Sequence, residues 1–190
     1  MMTSEQRIIY ITGRGGDANK GLGGYLKSLD PHRIGLSVNS DFLKLNFNKQ
    51  VAVVAKLIHD FDSPRTFVVA NSYGAYLCLH ALIDAPSYMS KFSFISPVIG
   101  SALNDQAMSY SRLPGSQWYN QAVSEKRITK PNLVAIYIGD SDPGYNPKLF
   151  EELRSSIGID QLHVLKSQGH AVDKIVIQNI VHQFLNMEVL

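Results

Sequence analysis

Thr66-Phe67-Val68-Val69-Ala70-Asn71-Ser72-Tyr73-Gly74 is the stretch on which the fold turns. Its first six residues are β-branched, aromatic or apolar and read as a buried strand. From Gly74 to Asp84 the pattern is helical, and Pro86 ends it. Almost nothing separates strand from helix, so Ser72 stands in a sharp turn. A serine there needs a strained backbone, and large side chains two residues to either side would clash. Ala70 and Gly74 are small at both places, which makes the segment a variant of G-x-S-x-G with alanine first. The turn also sets Ser72 at a helix N-terminus, where developing negative charge is favoured. The pentapeptide by itself equally fits a serine that merely caps a helix after a strand.

Working outward, short apolar runs alternate with helical patterns along the whole chain. Arg7 to Thr12 is a strand stopped by Gly13, and Leu22, Tyr25, Leu26 and Leu29 form a helical stripe ended by Asp30-Pro31. Ile34 to Val38 is a short strand. Val51, Val54, Ala55 and Ile58 mark the next helix, broken at Ser63-Pro64. Beyond the serine turn come strands at Phe92 to Ser96, Leu133 to Ile138 and Gln161 to Leu165. Helices are expected at Pro147 to Ser156 and over Val172 to Leu185. Such alternation implies βαβ units: an α/β fold with a mostly parallel six-stranded sheet between two helical layers. Residues 98–130 break the pattern. They hold Tyr110, Leu113, Pro114, Trp118 and Tyr119 without a strand, and read as a short lid-like insertion over one sheet edge.

Composition narrows the function classes. The 190 residues are 45% hydrophobic and 18% charged, which suits one globular domain over 1–190 and excludes disordered, collagen-like and coiled-coil chains. No apolar run is long enough to span a membrane. Eighteen Lys and Arg against 16 Asp and Glu give +2, too even for a nucleic-acid partner. One cysteine, Cys78, allows no internal disulfide and no cysteine set for zinc. The polar start, Met1 to Gln6, has no secretory pattern, so the expected location is the cytoplasm.

In a parallel sheet, ligands gather at the carboxyl ends of the strands. Three loops there carry reactive groups. Ser72 follows the third strand, Gly139-Asp140-Ser141-Asp142-Pro143 follows the fifth, and Gln168-Gly169-His170 follows the sixth. A serine hydroxyl is a poor nucleophile until a base takes its proton, and the base needs a carboxylate to orient it. Taken singly, Asp142 reads as a turn carboxylate beside proline and His170 as a loop histidine. Taken together, Ser72, Asp142 and His170 appear in the order that α/β hydrolases use, each after a different strand.

Over almost its whole length the chain resembles the α/β-hydrolase superfamily, in particular its small serine esterases and thioesterases. Size and the short insertion point to the YqiA-like bacterial esterases. The resemblance implies the sheet order 2-1-3-4-5-6 without the two N-terminal strands of larger members. It implies a triad of Ser72, Asp142 and His170, with the acid three residues past the strand-ending Gly139. It also implies oxyanion donors from the backbone N–H groups of Arg14 and Tyr73. Thr12-Gly13-Arg14 stands where the family often has His-Gly. The activity implied is cleavage of a small carboxylester or thioester through an acyl-enzyme, with no metal or organic cofactor. Candidate substrate-binding residues are the Arg14 side chain, Tyr110, Trp118 and Tyr119.

Two other readings compete. Gly13-Arg14-Gly15-Gly16-Asp17-Ala18 fits G-x-G-x-x-[GA] between a strand and a helix, a dinucleotide fingerprint. It calls for an acid at the end of the second strand, where Asn39 and Ser40 stand instead, and it leaves the three loops unexplained. The third reading is a hydrolase-fold protein that binds without turnover. Cys78 reads as a small buried hydrophobe. His59, His80, His163 and His182 lack metal-ligand spacing and read as surface or satisfied core histidines.

Overall fold

The computed structural model describes residues 6–99 and 113–187. Six strands, β1 (Arg7–Ile11), β2 (Ile34–Leu36), β3 (Thr66–Asn71), β4 (Lys91–Ile95), β5 (Leu133–Gly139) and β6 (Gln161–Leu165), form one sheet in the order β2-β1-β3-β4-β5-β6. Every neighbouring pair is parallel. Helices α1 (Leu22–Leu29), α2 (Phe47–Asp60), α3 (Tyr73–Ala81), α4 (Ser116–Ser124), α5 (Pro147–Ile157) and α6 (Lys174–Leu185) connect or follow them.

The apolar runs explain the layering. β3, β4 and β5 are buried almost throughout, because helices cover both faces. Side chains alternate across a strand. Ile9, Ile11, Val68, Ala70, Phe92, Phe94, Ile136 and Ile138 therefore pack with α2, α3, α4 and α5. Ile8, Tyr10, Phe67, Val69, Ala135 and Tyr137 pack with α1 and α6, where Phe184 meets Phe67 edge-on at 5.6 Å. Each fully buried Ile, Val or Phe among them contributes about 1.5–3 kcal/mol. Asparagines open two of the helices. Asn46 accepts the Lys49 N–H at α2, and Asn146 accepts those of Lys148 and Leu149 at α5, with Pro147 in the first turn.

Some boundaries move for tertiary reasons. β2 ends at Leu36 rather than Val38, because Val38 leaves the ladder. Its N–H donates to Thr12 Oγ1 at 2.8 Å and its carbonyl accepts from Gly15 at 2.7 Å. α3 ends at Ala81, before the expected Asp84. Ile83 bridges to Ile128, and Asp84 turns to φ +54° with its N–H on the Arg127 carbonyl. α6 starts at Lys174, since Asp173 is its N-cap. The segment 98–130 joins strands that are neighbours inside the sheet, so α4 occupies the position of a crossover helix, not of a cover on a sheet edge. Its buried residues are few, Tyr119 and Ala122, which left little helical stripe to read.

His80, on α3, is a buried histidine without a satisfied ring. Phe47, Tyr76 and Tyr119 surround it at 4.5–5.6 Å between ring centroids, and its Nε2 has no hydrogen-bond partner among the described residues. Burial lowers its pKa from 6.5 to about 4. Between those values the unfolded chain binds a proton that the folded chain refuses, so His80 costs stability as pH falls below 6.5 and the loss levels off near 4. The slope is at most ~1.4 kcal/mol per pH unit. Between pH 7 and 4.5 the urea midpoint of wild type should fall more steeply than that of His80→Phe. Parallel curves would remove His80 as a source of acid sensitivity.

Candidate active site

β3 ends at Asn71 and α3 begins at Tyr73, so Ser72 is the whole turn. Its backbone is at φ +51°, ψ −120°, a conformation L-residues seldom adopt and one that costs about 1–3 kcal/mol. Backbone bonds hold it there. Ser72 N–H donates to the Ile95 carbonyl at 2.9 Å, and the Ser72 carbonyl accepts from Tyr76 at 3.2 Å and Val98 at 3.4 Å. The glycine two residues on is obligatory, since a Cβ at Gly74 would lie 2.3 Å from the Thr12 carbonyl oxygen. α3 thus begins pressed against the end of β1.

Two more loops converge on the turn. His170 Nε2 lies 2.8 Å from Ser72 Oγ, and His170 Nδ1 lies 2.9 Å from Asp142 Oδ2. An ionised carboxylate can only accept, so Nδ1 carries the ring proton and Nε2 is left to accept from the serine hydroxyl. Asp142 is buried, and its other oxygen accepts the Gly144 N–H at 2.8 Å. The His170 side chain keeps 34% of its surface open, so it is reachable from solvent. Asp140 is exposed and accepts only from Ser141 Oγ, at 3.0 Å. The N–H of Gly144 in this turn is bonded by Asp142, not by Asp140.

The acid and histidine loops are laced together. Ser141 N–H donates to the Gln168 carbonyl and Asp140 N–H to that of Leu165, both at 3.0 Å. A Cβ at Gly139 would fall 2.1 Å from the Gln168 carbonyl oxygen, so only glycine permits this approach. Gln168 also closes the loop around His170. Its Oε1 accepts the Asp173 N–H at 2.8 Å, and its Nε2 donates to Asp173 Oδ2 at 3.2 Å.

No family model and no curated protein matches the chain in sequence. Solved structures do match in shape. The ydeN gene product from B. subtilis is 13% identical, with 96% of this chain and 100% of that chain covered at a TM-score of 0.64. The monoacylglycerol lipase of Paleococcus ferrophilus is 12% identical, over 94% and 93% of the two chains, at 0.67. Esterase PE8 is 16% identical, over 95% and 93%, at 0.60. The chain has the α/β-hydrolase fold. Within that fold, Ser72 stands in the strand-to-helix turn after β3, and the loops of Asp142 and His170 meet it at the carboxyl end of the sheet.

The other expected site residues fall in different places. Arg14 is exposed and follows Gly13, whose Cβ, if it had one, would lie 3.1 Å from the Ser72 Cβ. The loop after β1 therefore abuts the turn that carries Ser72. Tyr73 is the first residue of α3, and its hydroxyl donates to Gln50 Oε1 at 3.0 Å. Trp118 is half exposed beneath the Arg127 guanidinium, 4.3 Å from the ring centre. Tyr119 is buried against Tyr76 and His80, and its hydroxyl has no hydrogen-bond partner among the described residues. Tyr110 lies outside the described residues.

The Gly13–Ala18 loop is not arranged as a phosphate cradle. The Gly13 N–H is bonded to Asn71 Oδ1, Gly15 to the Val38 carbonyl, Gly16 to the Gly13 carbonyl and Ala18 to Ser37 Oγ. α1 starts only at Leu22, beyond a further turn, so its N-terminus does not open directly from the glycines. Among the described residues, no group of three or more His, Cys, Asp or Glu could hold a metal ion, and no helix is long and apolar enough to cross a membrane. Sequence reasoning missed Asn71, Tyr10, Gln168 and Asp173. Asn71 adjoins the serine, and Gln168 and Asp173 bracket the histidine, but nothing in their spacing announces these bonds.

Proposed function

We propose that the chain is a serine hydrolase that cleaves small carboxylesters or thioesters through an acyl-enzyme. The observation that carries the reading is the continuous bonded series Ser72 Oγ, His170 Nε2, His170 Nδ1, Asp142 Oδ2 at 2.8 and 2.9 Å. Ser72 Oγ attacks the acyl carbonyl carbon while His170 Nε2 takes its proton. The oxyanion is received by the N–H groups of Arg14 and Tyr73, each such donor contributing about 3–4 kcal/mol to the barrier reduction. The tetrahedral intermediate collapses, the leaving group departs with the proton from His170, and the acyl group stays on Ser72. Water, activated by the same imidazole, then releases the acid. Asp142 holds the ring and stabilises its cation. The matched structures that carry the names esterase and lipase support a hydrolytic reading.

A fluorophosphonate probe with mass spectrometry of the labelled peptide tests the chemistry. A panel of p-nitrophenyl and CoA esters of rising chain length tests the substrate class. Labelling at Ser72 with turnover is the expected result. Neither labelling nor turnover would leave a binding protein on a hydrolase scaffold.

The acyl chain has a candidate seat. A cavity of about 720 Å³ lies between α4 and α5, lined by Ile99, Tyr119, Val123, Leu149 and Leu153 among others. Ile99 follows Val98, whose N–H meets the Ser72 carbonyl. This supports a role for α4 and α5 as the walls of an acyl pocket. Leu149→Trp, which narrows the cavity, should shift the preferred chain length downward and spare acetate esters. An unchanged chain-length profile would exclude this cavity.

A further inference from the structure

We propose that Asn71 is a positioning residue that ties the oxyanion loop to the nucleophile elbow. The inference rests on the serine-hydrolase reading above and extends it to a residue that touches no reacting atom. Asn71 is the last residue of β3 and immediately precedes Ser72. Its Oδ1 accepts two donors from the neighbouring strand and loop, the Gly13 N–H at 2.9 Å and the Tyr10 hydroxyl at 3.2 Å. Tyr10 is buried, and burial pushes its phenol up to about 12, so the donated proton is present at every working pH.

The geometry shows why this bond matters to the next amide. A peptide unit is planar and trans, so the direction of one carbonyl sets the opposite direction of the following N–H. The Gly13 carbonyl accepts from Thr12 Oγ1 and from the Gly16 N–H, both at 3.0 Å, and this fixes the plane that carries the Arg14 N–H. The Gly13 N–H on Asn71 fixes the plane before it. Held on both sides, the glycine loses its backbone freedom, which is larger than that of any other residue. The anchor for that hold is rigid, because Asn71 sits in an interior strand of the sheet and is bonded in sequence to Ser72. One side chain thus sets the distance between the attacking oxygen and the loop donor. The approach is close: a Cβ at Gly13 would come within 3.3 Å of Asn71 Nδ2 and 3.1 Å of the Ser72 Cβ, so a larger residue there would press on both.

The test compares wild type, Asn71→Ala, Asn71→Leu and Tyr10→Phe on p-nitrophenyl acetate, with active sites counted by fluorophosphonate titration. A trifluoromethyl ketone, whose adduct with serine carries an oxyanion, reports on the hole directly. Both Asn71 variants should lose about 10- to 100-fold in kcat with KM nearly constant, and Ki for the ketone should rise in parallel. Tyr10→Phe removes one of the two donors that orient Asn71 and should give a smaller fall with the same split. If the Asn71 variants do not fold, Tyr10→Phe decides by that split. A structural role alone would lower the melting temperature and leave kcat per titrated site and the ketone Ki unchanged, and that result overturns the proposal. Failure of wild type to label at all would overturn the serine reading, and this inference with it.

Discussion

Ser72→Ala is expected to abolish ester hydrolysis and fluorophosphonate labelling while the protein remains folded. In the proposed mechanism the hydroxyl is the attacking group, and removing it would leave only the residual catalysis of binding and the oxyanion donors. Losses of ~10⁶-fold in kcat accompany removal of such a serine. The fold should tolerate the change because the elbow is held by backbone bonds, from Ser72 N–H to Ile95 and from Tyr76 and Val98 to the Ser72 carbonyl. The strain at φ +51° stays with alanine but is relieved by glycine. Ser72→Gly should therefore be equally inactive and more stable than Ser72→Ala by about 1–2 kcal/mol, read from urea midpoints. Wild-type labelling of either variant would remove Ser72 from the mechanism.

Asp142→Asn is expected to cost about 10⁴-fold in kcat, and Asp140→Asn no more than about twofold. The difference follows from what each carboxylate does. Asp142 uses both oxygens, Oδ2 towards His170 Nδ1 and Oδ1 on the Gly144 N–H. An asparagine has one acceptor. If its oxygen stays on Gly144, its amide nitrogen faces His170 and donates, which puts the ring proton on Nε2 and blocks acceptance from Ser72. If its oxygen turns to His170, the Gly144 amide loses its partner and the acid loop loosens. Asp140 is exposed and accepts only the Ser141 hydroxyl, a bond that an amide oxygen can replace. Kinetics on both variants, with melting temperatures to confirm folding, decide the matter. A larger loss from Asp140→Asn would shift the acid by two residues.

The strands and the serine turn were legible because their signals are local. A run such as Phe67 to Ala70 is apolar on every residue, as a strand covered on both faces must be, and the spacing of Val54 and Ile58 marks one face of a helix. Ala70 and Gly74 announce the elbow because backbone strain excludes larger residues within a few positions. The sheet order was available only through resemblance, since pairing joins residues far apart in sequence. α4 was missed because just two of its residues, Tyr119 and Ala122, are buried, too few for a periodic stripe.

Sequence alone therefore determined the alternation of strands and helices, the tight turn at Ser72, and the presence of Asp142 and His170 in loops at the same end of a parallel sheet. Each is set by interactions among residues a few positions apart, where side-chain periodicity and turn sterics act. Tertiary structure alone decided the rest. It set Asp142 Oδ2 beside His170 Nδ1, enclosed His80 among rings, and brought the Asn71 side chain to the amide of Gly13, 58 residues away. Those outcomes depend on strand register and on gaps of a few tenths of an ångström between loops, as where Gly139 admits the Gln168 carbonyl. No local pattern encodes such distances, because they arise only when distant segments have packed against one another.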